Sequence, residues 1–458
     1  MAQPGADARH FPGSGDDDPG RFRGVKDHEP TVPWIMGGPA GGRRGFCPRP
    51  ATPPPLGDSK MSETTQQKID RLVMDTYARN KVTFVAGQGC QLIDENGKTH
   101  LDFLAGIAVC NLGHAHPRVA QAICNQALKL THVSNLYYTE PQARVAELLI
   151  DNSFADRVFF CNSGAQANEG ALKLARLWGK EKLGGAFTVI TMQGSFHGRT
   201  LATLAATGQV KVQKGFDPLL SEFRHVPFGD LKALEAAWDE KVCAVLMEPV
   251  LGEGGVLTPP PEFLAGVRRL CDQRGALLIF DEIQTGLGRT GRLFAHEHFG
   301  AAPDVMTLAK ALANGLPAGA ILARQEAAGL FHPGSHASTF GAGPIVMAAA
   351  AVVLEHLTAP GFLEGVQQTA AYFMDKLKAL AGRHPEVVAG TRGLGMMLGL
   401  ELRLPGAPLV KKLLEMGFVV NCTQDTVLRF LPPLVVTTNE IDALIGALDQ
   451  VLAQPPRD

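Results

Sequence analysis

The stretch 275–313, GALLIFDEIQTGLGRTGRLFAHEHFGAAPDVMTLAKALA, decides how the chain is read. Two apolar runs, 276–280 and 305–308, have the composition of buried strands. Each delivers a charge as it ends, Asp281 from the first and Lys310 from the second, with a Gly-rich loop between them. Alone, either residue would be an ordinary strand-end Asp or surface Lys. Two such arrivals around one loop point to a cofactor site.

Outward from this stretch, strands alternate with helices from Arg157 onward. Strands are expected at 158–161, 187–191, 242–247, 276–280, 305–308 and 319–323, with helices such as 166–180 and 261–274 between several of them. That order predicts an α/β fold: a large domain with a mostly parallel central sheet, helices on both faces and the site at the strands' carboxyl ends. Before it lie a helical pattern opening at Met61, with Ile69, Leu72, Val73 and Tyr77 in register, strands near 83–86 and 90–93, and a helix from Pro117 to about Leu130. After it come a buried helix at 345–354, helices near 362–381 and 409–415, and strands near 396–401, 419–421 and 427–430, which read as a smaller α+β domain. The expected division is 61–112 joining the small domain, 113–345 as the large domain and 346–458 as the small one. Residues 1–60 are rich in Gly, Pro, Asp and Arg without apolar periodicity, so they are expected to be a disordered or non-native extension, with Met61 the natural start.

The 458 residues are 45% hydrophobic with a net charge of −2, which gives no electrostatic reason for a nucleic-acid or anionic-membrane partner. No run reaches the roughly 18 apolar residues that span a bilayer, and the N-terminus lacks a signal-peptide layout. The eight cysteines are scattered without a C-x-x-C pair, as in a reduced, cytoplasmic protein. No metal spacing such as H-E-x-x-H occurs, and His197 and His296 read as structural.

Other strand ends carry further chemistry. In 161–169, CNSGAQANE, a strand, a tight Ser-Gly turn and a helix start form either an ordinary capped turn or a phosphate seat built from helix amides. In 194–200, GSFHGRT, Phe196 suits stacking on a flat ring, and Arg199 suits a bidentate grip on a carboxylate. Further on lie the run 247–255, MEPVLGEGG, and Gln284. Pyridoxal phosphate asks for this set. An Asp keeps its pyridine nitrogen protonated, so that the ring draws electrons. A Gln meets its phenolic oxygen, and a desolvated Lys meets its aldehyde.

With these pieces in place, the chain resembles the class III, fold type I aminotransferases over about 62–452. The motifs are GIAVCNLGHAHP, SNLYYTEPQARVAELL, FFCNSGAQANEGALKLAR, SFHGRTLATL, EPVLGEGGV, FDEIQTGLGRTG, LAKALANGLPAGA, HASTF and RGLGMMLGLEL. The resemblance implies that Lys310 bonds the cofactor aldehyde and moves the substrate proton. It implies that Asp281 faces the pyridine nitrogen, Gln284 the phenolic oxygen, Gly164 and Ala165 the phosphate, and Phe196 the ring. It places Thr339 on the phosphate of the partner subunit's cofactor, hence a homodimer with shared sites, with Ser338 near the substrate across the same interface. Arg199 is expected to hold the substrate α-carboxylate. Glu253 is expected to pair with Arg392 and to release it when a second carboxylate arrives. The implied reaction exchanges the amine of N2-acetylornithine with 2-oxoglutarate in arginine synthesis.

Open alternatives are succinylornithine or succinyldiaminopimelate, ornithine or 4-aminobutyrate, and a cofactor-binding domain without turnover. The run GIAVCNLGH lacks the Tyr with which ornithine δ-aminotransferases hold an α-amine, which favours an N-acylated substrate. Three places depart from the family pattern: Leu251 for Gln, Ala342-Gly343 for Gly-Asn, and Gln166 for Glu. Leu251 is expected beside the site.

Overall fold

The structure, a computed structural model, describes residues 63–455. The expectations for 1–60 and for a start at Met61 lie outside the described residues. All described residues belong to one compact unit.

The chain first makes three antiparallel strands, β1 (Phe84–Gln88), β2 (Gln91–Asp94) and β3 (Thr99–Asp102). The central sheet follows, from β4 (Arg157–Cys161), β5 (Thr188–Met192), β6 (Phe223–Val226), β7 (Val242–Met247), β8 (Leu277–Asp281), β9 (Val305–Leu308) and β10 (Gly319–Ala323). Its order is β4-β10-β9-β8-β7-β5-β6. Neighbours from β9 to β6 are parallel, and β10 runs antiparallel to both β4 and β9. The expected strands are all present. Strand β6 was not anticipated, because its sequence, Phe-Arg-His-Val, has too few apolar residues to stand out at an edge.

The central strands are apolar on both faces because helices cover both. Along β7 and β8, Ala244, Leu246, Leu277 and Ile279 face the helix Gly164–Lys182 through Ala167, Ala171 and Leu174. The alternate residues Val245, Met247, Leu278 and Phe280 pack with Leu264, Val267 and Leu270 of the helix Phe263–Arg274. The period-2 alternation of a strand thus serves two cores at once.

The C-terminal part adds β11 (Val388–Leu394), β12 (Met397–Leu402), β13 (Phe418–Val419), β14 (Asn421–Thr423) and β15 (Val427–Phe430). Strands β11-β12-β15-β14 form an antiparallel sheet. The single strand expected at 419–421 is two strands: β13 pairs in parallel with β3, and β14 turns away to pair with β15. The N-terminal segment therefore shares a sheet with the C-terminal part. The helix Pro344–Leu357, whose first turn straddles the expected boundary at 345, packs on the helices Pro117–Lys129 and Glu140–Asp151. The opening helix is Thr65–Leu72, capped by Thr64 and shorter than its pattern. Leu72, Val73 and Tyr77 are exposed.

Among the described residues no single helix is long and apolar enough to cross a membrane. Among the described residues, Cys90, Cys110, Cys161, Cys243, Cys271 and Cys422 are free thiols.

The helix Gly164–Lys182 lies close to the sheet at Gly179, where a Cβ would come within 2.0 Å of the Ala186 carbonyl oxygen and 2.7 Å of Cys243 Cβ. Helix propensity favours Ala over Gly by about 1 kcal/mol, but a clash with backbone costs roughly 1–3 kcal/mol or more. Gly179→Ala is expected to lower the urea midpoint, the net loss reaching up to about 2 kcal/mol. An unchanged or raised midpoint would show that the strand below yields.

Candidate active site

Five strand ends meet at one edge of the sheet around a cleft of about 460 Å³. The turn after β4 supplies Ser163, Gly164 and Ala165, and the loop after β5 supplies Phe196, His197 and Arg199. Glu248 follows β7, Asp281 closes β8, and Lys310 follows β9. Because β10 runs the other way, its leading residues Gly315–Ala318 also line the cleft. Of the residues expected at the site, Lys310, Asp281, Gln284, Gly164, Ala165, Phe196, Arg199 and Glu253 all line it.

Asp281 is buried, and its Oδ2 accepts from Asn168 Nδ2 at 2.7 Å and from the ring nitrogen His197 Nδ1 at 2.8 Å. Asn168 is itself fixed, donating also to the His197 carbonyl (2.8 Å) and accepting from Thr307 Oγ1 (2.7 Å). His197, read from sequence as structural, lines the cleft and orients Asp281. His296 does stay outside it, bonded to the buried Glu282. Glu248 accepts the amides of Phe196 and Gly252, each at 2.9 Å. Burial and then the Asp281 charge push its carboxyl up to about 7, against those two amides and His197.

Lys310 sits at a left-handed backbone angle, φ 41°, at the start of the 3-10 turn Lys310–Ala313. Such a conformation costs a non-Gly residue of order 1–3 kcal/mol and persists only where surroundings enforce it. Part of its surface faces the cleft, yet the enclosing protein desolvates the ammonium and lowers its pKa. Arg429 adds to this, while Glu253, Asp281 and Glu248 oppose it.

Glu253 shows the main departure from expectation. Its Oε1 accepts from Arg429 Nη1 at 2.6 Å, not from Arg392. Arg392 instead donates from Nη1 to Glu401 Oε2 (2.6 Å) and from Nε to the Gly255 carbonyl (2.7 Å), and it does not line the cleft. Register decides this. Arg429 stands in β15 with its side chain fully buried, its Nε on Asn421 Oδ1 and its Nη1 also on Gln284 Oε1. Burial raises the Glu253 carboxyl, and Arg429 more than offsets this, with Lys310 and Gln284 helping, to hold it below its ordinary value. Gln284 Nε2 lies 3.4 Å from Glu253 Oε1.

Thr339 is exposed and outside the cleft. Ser338 accepts on Oγ from Asn162 Nδ2, at the cleft's rim, at 3.1 Å. Leu251 is a core residue, 1% exposed among Ile190, Met192 and Met247, so the expectation of an apolar side chain beside the site does not hold. Gln166 accepts from Asn162 backbone N at 2.8 Å, which closes the turn before the helix. Ala342 is buried at φ 60°, and Gly343 caps the helix Pro344–Leu357.

Sequence reading missed Asn168, Glu248 and Arg429. Asn168 and Arg429 had a signal: each is a polar residue at an apolar position, Asn168 beside Ala167 and Ala171, and Arg429 inside Val427–Phe430.

The loop under the cleft wall is also tied electrostatically. His114 Nε2 lies 2.7 Å from the buried Asp102 Oδ2, and this bond, with Cys110 and against burial, raises His114 from its ordinary 6.5 to about 9. A raised folded value means that the stabilisation is complete below about pH 6.5 and is lost as pH rises through about 9. His114→Gln is expected to flatten the unfolding free energy across that window. A variant with the same slope as the parent would remove His114 as its source.

Comparison with known proteins identifies the family. The profile of the family Aminotransferase class-III matches residues 74–452. An acetylornithine aminotransferase of Caldanaerobacter subterraneus subsp. tengcongensis is 49% identical over 386 residues, covering 84% of this chain and 98% of that protein. The N-acetylornithine aminotransferase of Stenotrophomonas maltophilia K279a superposes with a TM-score of 0.72 at 37% identity, covering 82% and 97% of the two chains. An ornithine aminotransferase of Toxoplasma gondii, solved with partial occupancy of PLP at its active site, superposes with a TM-score of 0.81 at 33% identity over 85% and 94%. With five strand ends bringing Lys310, Asp281 and a helix amino terminus to one cleft, the chain belongs to the class III aminotransferases.

Proposed function

We propose that this chain transfers the amine of N2-acetylornithine to 2-oxoglutarate, giving N-acetylglutamate 5-semialdehyde and glutamate, as a cytoplasmic homodimer using pyridoxal phosphate. The observation that carries the reading is the Glu253–Arg429 pair at the cleft wall: a buried arginine neutralised by a carboxylate that lies on a separate glycine-rich turn.

Family membership implies the cofactor, and the residues fit it. Ser163 Oγ and O accept from Gln166 N (3.3 Å) and Ala167 N (3.0 Å), so the amides of Gly164 and Ala165 remain at the amino end of a 19-residue helix, suited to a phosphate. A Cβ on Gly164 would meet Ile283 Cδ1 at 2.7 Å, so glycine keeps this approach open. Asp281 places a carboxylate on the cleft floor, which a protonated ring nitrogen would balance, beside Glu248, whose ionisation burial opposes. When bound, the cofactor supplies an electron-withdrawing ring that stabilises charge on the substrate carbon losing its proton.

The chain's own residues supply the rest. Burial lowers the pKa of Lys310 Nζ, which favours the neutral amine that would bond an aldehyde and accept a proton at the substrate carbon. Asn168 and His197 fix the orientation of Asp281. Phe196 covers the ring, and Arg199, whose guanidinium carbon lies 5.6 Å from the Phe196 ring centroid, grips a substrate carboxylate. While Glu253 covers Arg429, the cleft accepts a neutral acylated substrate. When a dicarboxylate binds, its second carboxylate replaces Glu253 on Arg429.

Exposed Leu136, Tyr137, Tyr138 and Phe340 surround Asn135, which bonds the Ser338 and Gly341 carbonyls. This apolar rim suits burial by a second copy, with Thr339 reaching the partner's phosphate.

Single-turnover rates with acetylornithine, succinylornithine, ornithine and 4-aminobutyrate test the substrate. Acetylornithine is expected to give the highest kcat/KM, and a higher value with ornithine or 4-aminobutyrate would overturn the assignment. Lys310→Ala should lose the visible absorbance of covalently held cofactor. Arg429→Met should cut kcat/KM for 2-oxoglutarate by roughly 30- to 150-fold, the loss of a charge-assisted pair of about 2–3 kcal/mol, and equal activity would remove Arg429 from substrate recognition.

A further inference from the structure

The turn that carries Glu253 is held in a way that its side chain does not require. Glu253 lies in Gly252-Glu253-Gly254-Gly255, a sequence that by itself has little backbone stiffness. Its carbonyl oxygen accepts two donors from the hairpin between β14 and β15, Thr423 Oγ1 at 2.6 Å and Gln424 Nε2 at 2.8 Å. Two residues on, the Gly255 carbonyl accepts Arg392 Nε at 2.7 Å, and Arg392 is fixed in turn by Glu401 at 2.6 Å. Gln424 occupies the left-handed region at φ 48°, as does Asp425 at φ 59°, so the hairpin accepts strain where its side chain reaches Glu253.

The turn is also packed from the other side. A Cβ on Gly252 would meet Gln284 Oε1 at 2.2 Å, and one on Gly254 would meet the Gly194 carbonyl at 2.9 Å. The backbone of 252–255 is therefore fixed on both flanks of Gly254. Opposite it, Arg429 Nη2 is buried without a hydrogen-bond partner among the described residues, while Nε is anchored on Asn421. An arginine held rigid with one donor unmet faces a carboxylate whose backbone is clamped.

We propose that Thr423, Gln424 and Arg392 are positioning residues that clamp the Glu253 turn, so that Glu253 leaves and regains Arg429 by side-chain rotation alone. This rests on the reading of Glu253–Arg429 as a gate between neutral and acidic substrates. With the clamp intact, the carboxylate returns to the same 2.6 Å contact each time a dicarboxylate departs. With the clamp weakened, the glycine-rich turn carries Glu253 away and Arg429 stays bare. A bare buried cation disfavours a neutral acyl chain and still welcomes a second carboxylate. The clamp thus sets the balance between the two half-reactions without touching either substrate.

The test uses the holoenzyme. Half-reaction kcat/KM is measured for N2-acetylornithine and for glutamate in Thr423→Val, Thr423→Ser, Arg392→Met and Glu253→Gln, together with hydrogen exchange of the segment 250–257. Thr423→Val and Arg392→Met are expected to lower the acetylornithine-to-glutamate ratio about fivefold each, the loss of one ordinary hydrogen bond, and to speed exchange in the segment. Thr423→Ser should restore both. Equal loss in the two half-reactions, or an unchanged ratio, overturns the clamp. Glu253→Gln separates the two ideas: if it shifts the ratio while the clamp variants do not, the clamp alone fails, and if it leaves the ratio unchanged, the gate itself fails and the clamp with it.

Discussion

The buried contact between Asp281 and its two donors, Asn168 and His197, is the constraint around which the site is arranged. A carboxylate removed from water at the end of a central strand is costly unless it is hydrogen-bonded. Here one oxygen is committed to an amide from the helix Gly164–Lys182 and to an imidazole from the loop after β5. That requirement ties the ends of β5 and β8 and one helix into fixed relative positions. The same helix presents Gly164 and Ala165 at its amino end, so the group that fixes Asp281 also fixes the amides proposed to seat an anion. Glu248, behind the loop of Phe196, adds a second carboxylate whose ionisation is opposed by burial and by Asp281. The cleft floor is therefore electrostatically prepared for a cation before anything binds.

The cleft wall is built on a different principle. Arg429, Glu253 and Gln284 join three parts of the chain far apart in sequence, the turn after β7, the turn after β8 and the sheet β11-β12-β15-β14. Breaking a buried pair by deleting one partner typically costs about 3–5 kcal/mol, because a charge is left uncompensated. A ligand carboxylate that replaces Glu253 avoids most of that cost, which is why an exchangeable pair suits a site serving two substrates. Arg392, two strands away in β11, has guanidinium chemistry equal to the task but faces Glu401 and a backbone carbonyl. Its place is structural support of the turn.

Sequence alone determined the elements whose signal is local. The apolar runs ending at Asp281 and Lys310, the Ser-Gly turn before a long amphipathic helix, and the alternation of strands and helices each follow from residues within a few positions of one another. They single out Asp281, Lys310, Gly164, Ala165, Phe196, Arg199 and Gln284, to which the family resemblance adds Glu253, and all eight line the cleft. Only the tertiary structure decided which arginine meets Glu253, because Arg392 and Arg429 lie on strands of one sheet and their side chains are assigned by register and by which strand comes nearest the turn. It also decided that Leu251 belongs to a core, that 419–421 divides between two sheets, and that His197 serves Asp281. Each of those outcomes depends on contacts between residues tens to hundreds of positions apart, where long-range packing, and not local pattern, chooses the partner.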